Sequence, residues 1–194
     1  MTPDRLAVII DGPEKAGKTT LLAEVVRQAQ IETGDTLPIL YRKWSGRARP
    51  DEHVYFRELV RWYGDVSDDN PRVALWDRGW PSEFVYGTLL KEDRPMAGKL
   101  LCPDFETGLS PWLIKVILLG PSAEALIAKR DETDLPVDPA HEQYLFGAYG
   151  AVNGWKVVEN EWSPQWLAYF YTALRSNLIS RFNTGEESEL WKTL

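Results

Sequence analysis

An eight-residue motif near the start of the chain constrains the fold more than any other feature. Residues 12–19 read Gly-Pro-Glu-Lys-Ala-Gly-Lys-Thr, the pattern G-x-x-x-x-G-K-[ST]. An apolar run at residues 6–10 precedes it, and residues 20–29 carry apolar side chains at helical spacing. A strand, a glycine turn and a helix in this order direct the free N–H groups of the helix start toward phosphate oxygens. The sequence therefore predicts a phosphate-binding loop, and this context disfavours an ordinary glycine-rich turn with an exposed lysine.

The residue types within the loop match this function. Gly12 and Gly17 allow the tight turn and the close approach of the backbone to a ligand. Lys18 is placed to reach the β- and γ-phosphates of a nucleotide, and the Thr19 hydroxyl to ligate Mg²⁺. The predicted ATP-binding residues of the loop and helix start are Gly12, Pro13, Ala16, Gly17, Lys18, Thr19 and Thr20.

Composition narrows the class of protein. The chain has 194 residues, 44% of them apolar, which predicts one domain over residues 1–194 with a sizeable core. Its net charge of −7 is spread along the sequence and gives no basic footprint for duplex nucleic acid. The single Cys102 has no partner for an internal disulfide. Neither a signal peptide nor a bilayer-spanning stretch is apparent, so we expect a cytoplasmic protein without membrane contact.

Strand-like and helix-like segments alternate along the chain. The predicted strands are 6–11, 37–41, 73–76, 112–119 and 155–159. The predicted helices are 19–32, one beginning at Pro50, 81–90, 122–130, 140–152 and 164–181. This order predicts an α/β fold: a three-layer sandwich with a parallel five-stranded sheet and helices on both faces. The tail at about 183–194 is expected to be mobile.

The carboxyl ends of the first three strands carry charged residues. In a parallel sheet, ligands bind beyond these ends. The residues expected to lie near one another there are Lys18, Arg42, Lys43, Asp77 and Arg78. Asp77 could hold hydrated Mg²⁺ or orient an attacking hydroxyl, and Arg78 could clamp a phosphate bidentately. The phosphate loop upstream favours this interpretation over a surface ion pair.

Three segments give the chain a family resemblance. Residues 10–20 are similar to the phosphate loop of the thymidylate kinase family of P-loop nucleotide kinases, and deoxynucleoside kinases are more distant relatives. Residues 77–86 look like the family's Asp-Arg-x-x-x-Ser…Tyr segment. Lys129 and Arg130, followed by acidic residues, look like its mobile lid, here at about 129–140. The resemblance implies a P-loop NTPase-type fold, ATP as donor, Mg²⁺ as cofactor, a thymidylate-like deoxynucleotide acceptor and a homodimer.

The resemblance also implies roles for individual residues. Glu14 would meet the 3′-hydroxyl of the acceptor, Lys15 would touch the transferring phosphoryl group, and Arg130 would lie against adenine or the donor phosphates. The implied catalytic residues are Glu14, Lys15, Lys18, Asp77 and Arg78. The implied acceptor-binding residues are Glu14, Arg42, Phe56, Arg78, Ser82 and Tyr86. The implied metal ligands are Thr19 and Asp77. The acidic residues after Arg130 are expected to be solvated charges; these are Asp131, Glu132, Asp134 and Asp138.

The acceptor side departs from the family pattern and leaves alternatives open. Residues 42–46 read Arg-Lys-Trp-Ser-Gly where the family has Glu-Pro-Gly, and Gly79 stands where an aromatic residue is typical. Such divergence would suit a phage-type enzyme with an unusual acceptor. One alternative acceptor is a hydroxyl of a modified base in DNA, of the 5-hydroxymethyluracil type, and another is a deoxynucleoside. A third hypothesis is a nucleotide-binding ATPase or switch that has no acceptor.

Overall fold

The computed structural model describes residues 4–33, 39–43, 54–65, 72–92, 94, 98–99, 112–132 and 134–194, except for the side chains of Thr33 and Phe56. The strands are Leu6–Asp11 (β1), Ile39–Lys43 (β2), Val73–Asp77 (β3), Leu113–Leu119 (β4) and Lys156–Glu159 (β5). The helices are Lys18–Thr33 (α1), Val54–Gly64 (α2), Trp80–Leu90 (α3), Ala123–Lys129 (α4), Pro139–Val152 (α5), Pro164–Thr184 (α6) and Glu189–Thr193 (α7).

The five strands form one parallel sheet with the order β2-β3-β1-β4-β5. β1 is central, so the loop that follows it emerges from the middle of the carboxyl edge. In the register of the sheet, Asp77 at the end of β3 pairs with Ile10 on one side and with Lys43 on the other. The predicted α/β fold is confirmed, and the ends of β1, β2 and β3 meet at one edge.

Helices cover both faces of the sheet because its central strand is apolar on both sides. Ala7 and Ile9 of β1 pack into a core formed with α2, α3 and α5. Val8 and Ile10 point the other way, into a core formed with α1, α6 and α7. All four side chains are fully buried, as expected for a central strand of a sheet with two covered faces. Among the described residues, no helix is long and apolar enough to cross a bilayer.

The helix starts follow the capping signals of the sequence. The Ser122 hydroxyl accepts a hydrogen bond from the Ala125 N–H at the start of α4, and the Ser163 hydroxyl does the same for Trp166 at the start of α6. α6 ends at Thr184, and the following Gly185 adopts φ +78° and donates its N–H to the Arg181 carbonyl. The helix is therefore three residues longer at its end than the predicted 164–181.

The second strand ends later than predicted, and the C-terminal tail contains a helix. The second strand extends over Ile39–Lys43 and so ends two residues later than the predicted 37–41, while the predicted positions 37 and 38 lie outside the described residues. Arg42 therefore lies within the strand rather than after it. The tail for which mobility is expected contains α7, and Trp191 of this helix is 2% exposed and packs edge-on against Phe170. Burying an aromatic side chain contributes about 2 kcal/mol, which holds this segment on the core.

Candidate functional site

The turn after β1 has a backbone that only glycine can adopt at two positions. Gly12 has φ +147°, and a Cβ there would lie 2.0 Å from the Leu118 carbonyl oxygen of β4. Gly17 has φ +94°, and a Cβ there would lie 2.5 Å from the Asn160 side-chain nitrogen. The loop is thus pressed against the backbone of the sheet, and its path is fixed by steric exclusion.

Lys18 lies at the bottom of this turn and is 5% exposed. Its Nζ donates hydrogen bonds to the carbonyl oxygens of Gly12 (2.7 Å) and Pro13 (2.5 Å). Burial and, to a smaller extent, the positive charge of Arg78 lower the pKa of Lys18 to about 8. A buried cation held among carbonyl groups, with a second cation nearby, is an electrostatic environment that favours an anion.

Asp77 extends from β3 toward the start of α1. Its Oδ2 accepts hydrogen bonds from the Thr19 hydroxyl at 2.8 Å and from the Tyr41 hydroxyl at 3.3 Å. Its Oδ1 is buried and has no hydrogen-bond partner among the described residues. Mg²⁺ is bound in phosphate sites by one or two carboxylates together with substrate oxygens and water. A hydroxyl beside a carboxylate with one unsatisfied oxygen therefore fits Mg²⁺.

Arg78 follows Asp77 directly and adopts φ +76°, a strained backbone conformation for an arginine. Its N–H donates to the Ile10 carbonyl at 2.9 Å, which ties it to the end of β1. Its Nη2 lies 3.6 Å from Glu14 Oε1, and its guanidinium lies over the Tyr86 ring. Its Nη1 is buried without a hydrogen-bond partner in the part of the chain that the structure describes. The guanidinium can therefore donate to an anion.

Asp11 joins the phosphate loop to the Asp-Arg segment. This fully buried carboxylate accepts hydrogen bonds from the N–H groups of Gly12 (2.8 Å), Gly79 (3.0 Å) and Ser82 (2.9 Å) and from the Ser82 hydroxyl (2.7 Å). Burial raises the pKa of Asp11, while Lys18 and the Ser82 hydroxyl oppose that rise. The four hydrogen bonds hold the start of the phosphate loop and the start of α3 in fixed positions relative to each other.

The outer half of the loop is held by the connection between α4 and α5, residues 130–138. Lys15 adopts φ +60°, and its Nζ lies 3.0 Å from Asp131 and 3.2 Å from Asp134. Hydrogen bonds to these two carboxylates raise the pKa of Lys15. The Leu135 N–H donates to Glu14 Oε2 at 3.0 Å. The expectation of a solvated charge is wrong for Asp134, whose side chain is 11% exposed, whereas Asp131 is 54% exposed and pairs with the loop lysine at the surface.

The segment after β5 supports the loop from behind. The Asn160 amide donates to the Ala16 carbonyl at 2.8 Å, and the Trp162 indole N–H donates to the same carbonyl at 3.3 Å. Lys129 at the end of α4 places its Nζ 3.2 Å from the centre of the Trp162 ring, within cation–π range. The two side-chain donors of this segment therefore hold the Ala16 carbonyl of the loop in place.

These elements surround one cavity of about 470 Å³ at the carboxyl edge of the sheet. Its lining residues include five basic and three acidic ones. They are Glu14, Lys15, Gly17, Lys18, Thr19, Thr20, Lys43, Asp77, Arg78, Lys129 and Asp134. The structure therefore brings the phosphate loop, the tip of β3 and the tip of β2 together, as the strand order predicts.

Some predicted site residues lie elsewhere. Ser82 is 4% exposed and its hydroxyl donates to Asp11, so it stabilises the loop junction from below rather than facing the cavity. Tyr86 is fully buried beneath Arg78. Arg42 is exposed, and Lys43 lines the cavity in its place because neighbouring strand residues point to opposite faces. The side chain of Phe56 is outside the described residues.

Arg130 also differs from its predicted placement. Its guanidinium donates to the Val137 carbonyl at 2.6 Å and to the Leu135 carbonyl at 3.3 Å, and it pairs with Glu142. These contacts occupy the side chain within the connection 130–138. Lys129, its neighbour, is the basic residue that lines the cavity.

Asp11, Glu142 and Asn160 contribute to the site, although the sequence analysis assigned them no role. Asp11 is an acid at the end of an otherwise apolar strand. Glu142 falls on the same helical stripe as the buried Phe146 and Tyr149, four and seven residues later. A carboxylate at a core-facing position requires hydrogen-bond partners, so its position in the stripe was an available signal.

Comparisons with known proteins bear on the fold. No protein-family model matches the chain, and no curated protein matches its sequence. The solved structure of the YorR protein from Bacillus subtilis in complex with phosphorylated GDP is similar, with a TM-score of 0.55 and 16% identity, over 90% of this chain and 95% of that chain. This likeness, with the loop and strand order above, shows a P-loop NTPase-type fold.

Two further solved structures are less similar. Guanylate kinase from Anaplasma phagocytophilum aligns with a TM-score of 0.44 and 12% identity, over 100% of this chain and 94% of that chain. The hydrogenase maturation factor HypB from Archaeoglobus fulgidus aligns with a TM-score of 0.32 and 15% identity, over 80% of each chain.

Proposed function

We propose that this chain is a nucleotide kinase that transfers a phosphoryl group from ATP to a deoxynucleotide, with thymidylate as the acceptor that its sequence resemblance favours. The observation that carries the proposal is that Lys18, Asp77 and Arg78 line the same cavity. These residues come from two separate segments of the chain, and each supplies a group that phosphoryl transfer requires. The solved YorR structure, which is similar in fold, supports a nucleotide ligand because it contains phosphorylated GDP.

The donor phosphates would bind at the turn after β1. Lys18 would exchange its bonds to the Gly12 and Pro13 carbonyls for the β- and γ-phosphates, and the N–H groups at the start of α1 would face the same oxygens. Thr19 and Asp77 would hold Mg²⁺, which neutralises charge on the phosphate oxygens when bound. Asp77 carries the unsatisfied oxygen that such a site needs.

The acceptor phosphate would bind on the opposite side of the cavity. Arg78 lines the same cavity, and its unsatisfied Nη1 can donate to a phosphate oxygen. Glu14 lies 3.6 Å from that guanidinium, close enough to orient both Arg78 and an acceptor hydroxyl. Catalysis would then rest on positioning and on neutralising the charge of the transferred group. The connection 130–138 would act as the lid that excludes water.

A second candidate keeps the donor chemistry and changes the acceptor. Lys43 places another cation in the cavity, beside Asp77 in the sheet register. An additional cation suits an acceptor with more than one phosphate, such as a hydroxyl of a modified base within a DNA strand. A deoxynucleoside is the remaining alternative acceptor. An ATPase without any acceptor is less well supported, because it would leave the unsatisfied Arg78 nitrogen without a ligand.

An acceptor panel tests these proposals. The purified chain is incubated with Mg²⁺ and γ-labelled ATP, together with deoxynucleoside monophosphates, deoxynucleosides, DNA containing 5-hydroxymethyluracil, or no acceptor. We expect label in a deoxynucleotide, above all thymidylate, and loss of transfer in Lys18→Ala. Label appearing only in DNA would replace the first candidate by the second. ATP hydrolysis at one rate under all conditions would refute a kinase.

A further inference from the structure

Glu142 of α5 is a fully buried carboxylate outside the phosphate-binding motifs. It shares the buried face of its helix with Phe146 and Tyr149. Burying a carboxylate among aromatic groups is unfavourable unless hydrogen bonds compensate the lost hydration. Burial accordingly raises the pKa of Glu142, and the groups that donate to it oppose this rise. The identity of those groups indicates what the residue does.

Three donors from three different parts of the fold meet on this carboxylate. The backbone N–H of Glu14 in the phosphate loop donates to Oε1 at 2.9 Å. The Tyr86 hydroxyl of α3, beneath Arg78, donates to the same oxygen at 2.7 Å. Arg130, at the start of the connection 130–138, pairs with Oε2. Glu142 is therefore the common acceptor for the phosphate loop, the connection 130–138 and α3.

The contacts of Glu142 close into a ring of hydrogen bonds. Glu142 accepts from the Glu14 N–H, and the Glu14 carboxylate accepts from the Leu135 N–H at 3.0 Å. The Leu135 carbonyl accepts from Arg130 at 3.3 Å, and Arg130 returns to Glu142. In this ring the phosphate loop and the connection 130–138 contact each other directly and also share one buried anchor.

We propose that Glu142 is a positioning residue that couples docking of the connection 130–138 to the conformation of the phosphate loop at Glu14 and Lys15. Glu142 is the acceptor for the Glu14 N–H. When Arg130 leaves Glu142, this acceptor loses one of the groups that hold it in place. When Glu14 moves, Leu135 loses its partner. The structural part of this proposal is independent of the proposed function, and only its effect on catalysis rests on that function.

The isosteric variant Glu142→Gln tests the coupling without creating a cavity. All three neighbours of Glu142 are donors, so an amide that brings its own N–H groups opposes at least one of them. The substitution also removes the charge that pairs with Arg130. Glu132→Gln is the matched control, since Glu132 is an exposed acid on the same connection.

Hydrogen exchange on the nucleotide-free full chain reports both ends of the ring without any turnover. In Glu142→Gln we expect exchange in peptides covering residues 12–16 and 131–138 to rise together by about tenfold, with β4 unchanged and Glu132→Gln like wild type. Faster exchange at 131–138 alone, with residues 12–16 unaffected, would overturn the coupling. So would wild-type exchange in both segments.

A second variant keeps the test decisive if Glu142→Gln destabilises the whole fold. Arg130→Gln leaves the buried carboxylate in place and removes only the arm from the connection 130–138. Coupling predicts faster exchange at residues 12–16 in Arg130→Gln. It also predicts no further increase when Arg130→Gln is added to Glu142→Gln. Additive effects of the two substitutions on residues 12–16, or no effect of Arg130→Gln there, would contradict it. In a kinase assay, Glu142→Gln would lower kcat/KM for ATP about tenfold. Lost activity of this variant with wild-type exchange at residues 12–16 and 131–138 would overturn the coupling and leave the proposed function standing.

Discussion

The two halves of the phosphate loop are held in place by different physical means. The inner half, Gly12 and Lys18, is fixed by steric contact with β4 and by hydrogen bonds to backbone carbonyls. The outer half, Glu14 and Lys15, is held by charged side chains of the connection 130–138, some of them partly exposed. The inner half is therefore a rigid part of the sheet edge. The outer half depends on ion pairs that a phosphate can replace, because carboxylate and phosphate compete for the same cation.

The comparison predicts the largest effect for a substitution in the inner half. Gly12→Ala places a Cβ against a backbone oxygen at a φ that alanine avoids, and we expect it to destabilise the fold by about 3 kcal/mol or more. Gly64→Ala is the control, because an added Cβ there meets no atom within 4 Å. Chemical denaturation measures both. Equal stability of the two variants would contradict the rigid inner half.

Asp77→Asn tests the proposed metal ligand that β3 places beside the inner half. The change keeps the shape that meets Thr19 but removes the charge that would hold Mg²⁺. We expect transfer to fall about 100-fold or more with stability retained. Asp134→Asn is the comparison variant, since Asp134 lines the same cavity but pairs with Lys15. A larger loss of transfer in Asp134→Asn than in Asp77→Asn would contradict Asp77 as the Mg²⁺ ligand.

The lowered pKa of Lys18 predicts a pH dependence of the inner half. Lys18 is uncharged above about pH 8 in the nucleotide-free fold but remains protonated to about 10.5 in the unfolded chain. Because the unfolded state binds more protons in this window, the contribution of Lys18 to stability rises with pH. Affinity for Mg·ATP falls over the same window, by up to about tenfold per pH unit, since the anion needs the ammonium group. Calorimetry between pH 7 and 9.5 measures this, and an affinity that rises with pH would contradict it.

The smallest effect is expected in the outer half. Replacing both Asp131 and Asp134 by asparagine removes the carboxylates that compete with phosphate for Lys15. Partly exposed ion pairs contribute about 0.2–1 kcal/mol each, so we expect the Kd for Mg·ATP to fall about two- to tenfold. Glu132→Gln controls for the loss of one acidic charge on the same connection. Weaker nucleotide binding in the double variant would show that these acids support the ligand instead of competing with it.

Local rules predicted the inner half well. The spacing of Gly12, Gly17 and Lys18 after an apolar strand determines a strand-turn-helix unit, and each part depends on residues close in sequence. The strand ending in Asp77 and Arg78 was predicted for the same reason. Parallel strand order then brings both to one edge.

The outer half was not predicted, because its contacts join residues far apart in the chain. Glu14 and Glu142 are separated by 128 positions, and no helical or strand periodicity encodes which buried acid meets which loop. Lys15 was expected to face a phosphoryl group, and its pairing with Asp131 and Asp134 depends on how the connection 130–138 folds back. Arg42 was misplaced by one strand position, and a shift of one residue exchanges the side chain that faces the cavity.

Binding of Mg·ATP to the wild-type chain and to Lys18→Ala, measured by calorimetry at pH 7, tests most directly whether the buried lysine and the strand tip form one phosphate site. The account predicts one site per chain in the wild type and at least 100-fold weaker binding in Lys18→Ala, whose thermal unfolding should match that of the wild type. Absence of binding to a folded wild-type chain, or equal affinity in Lys18→Ala, would contradict it.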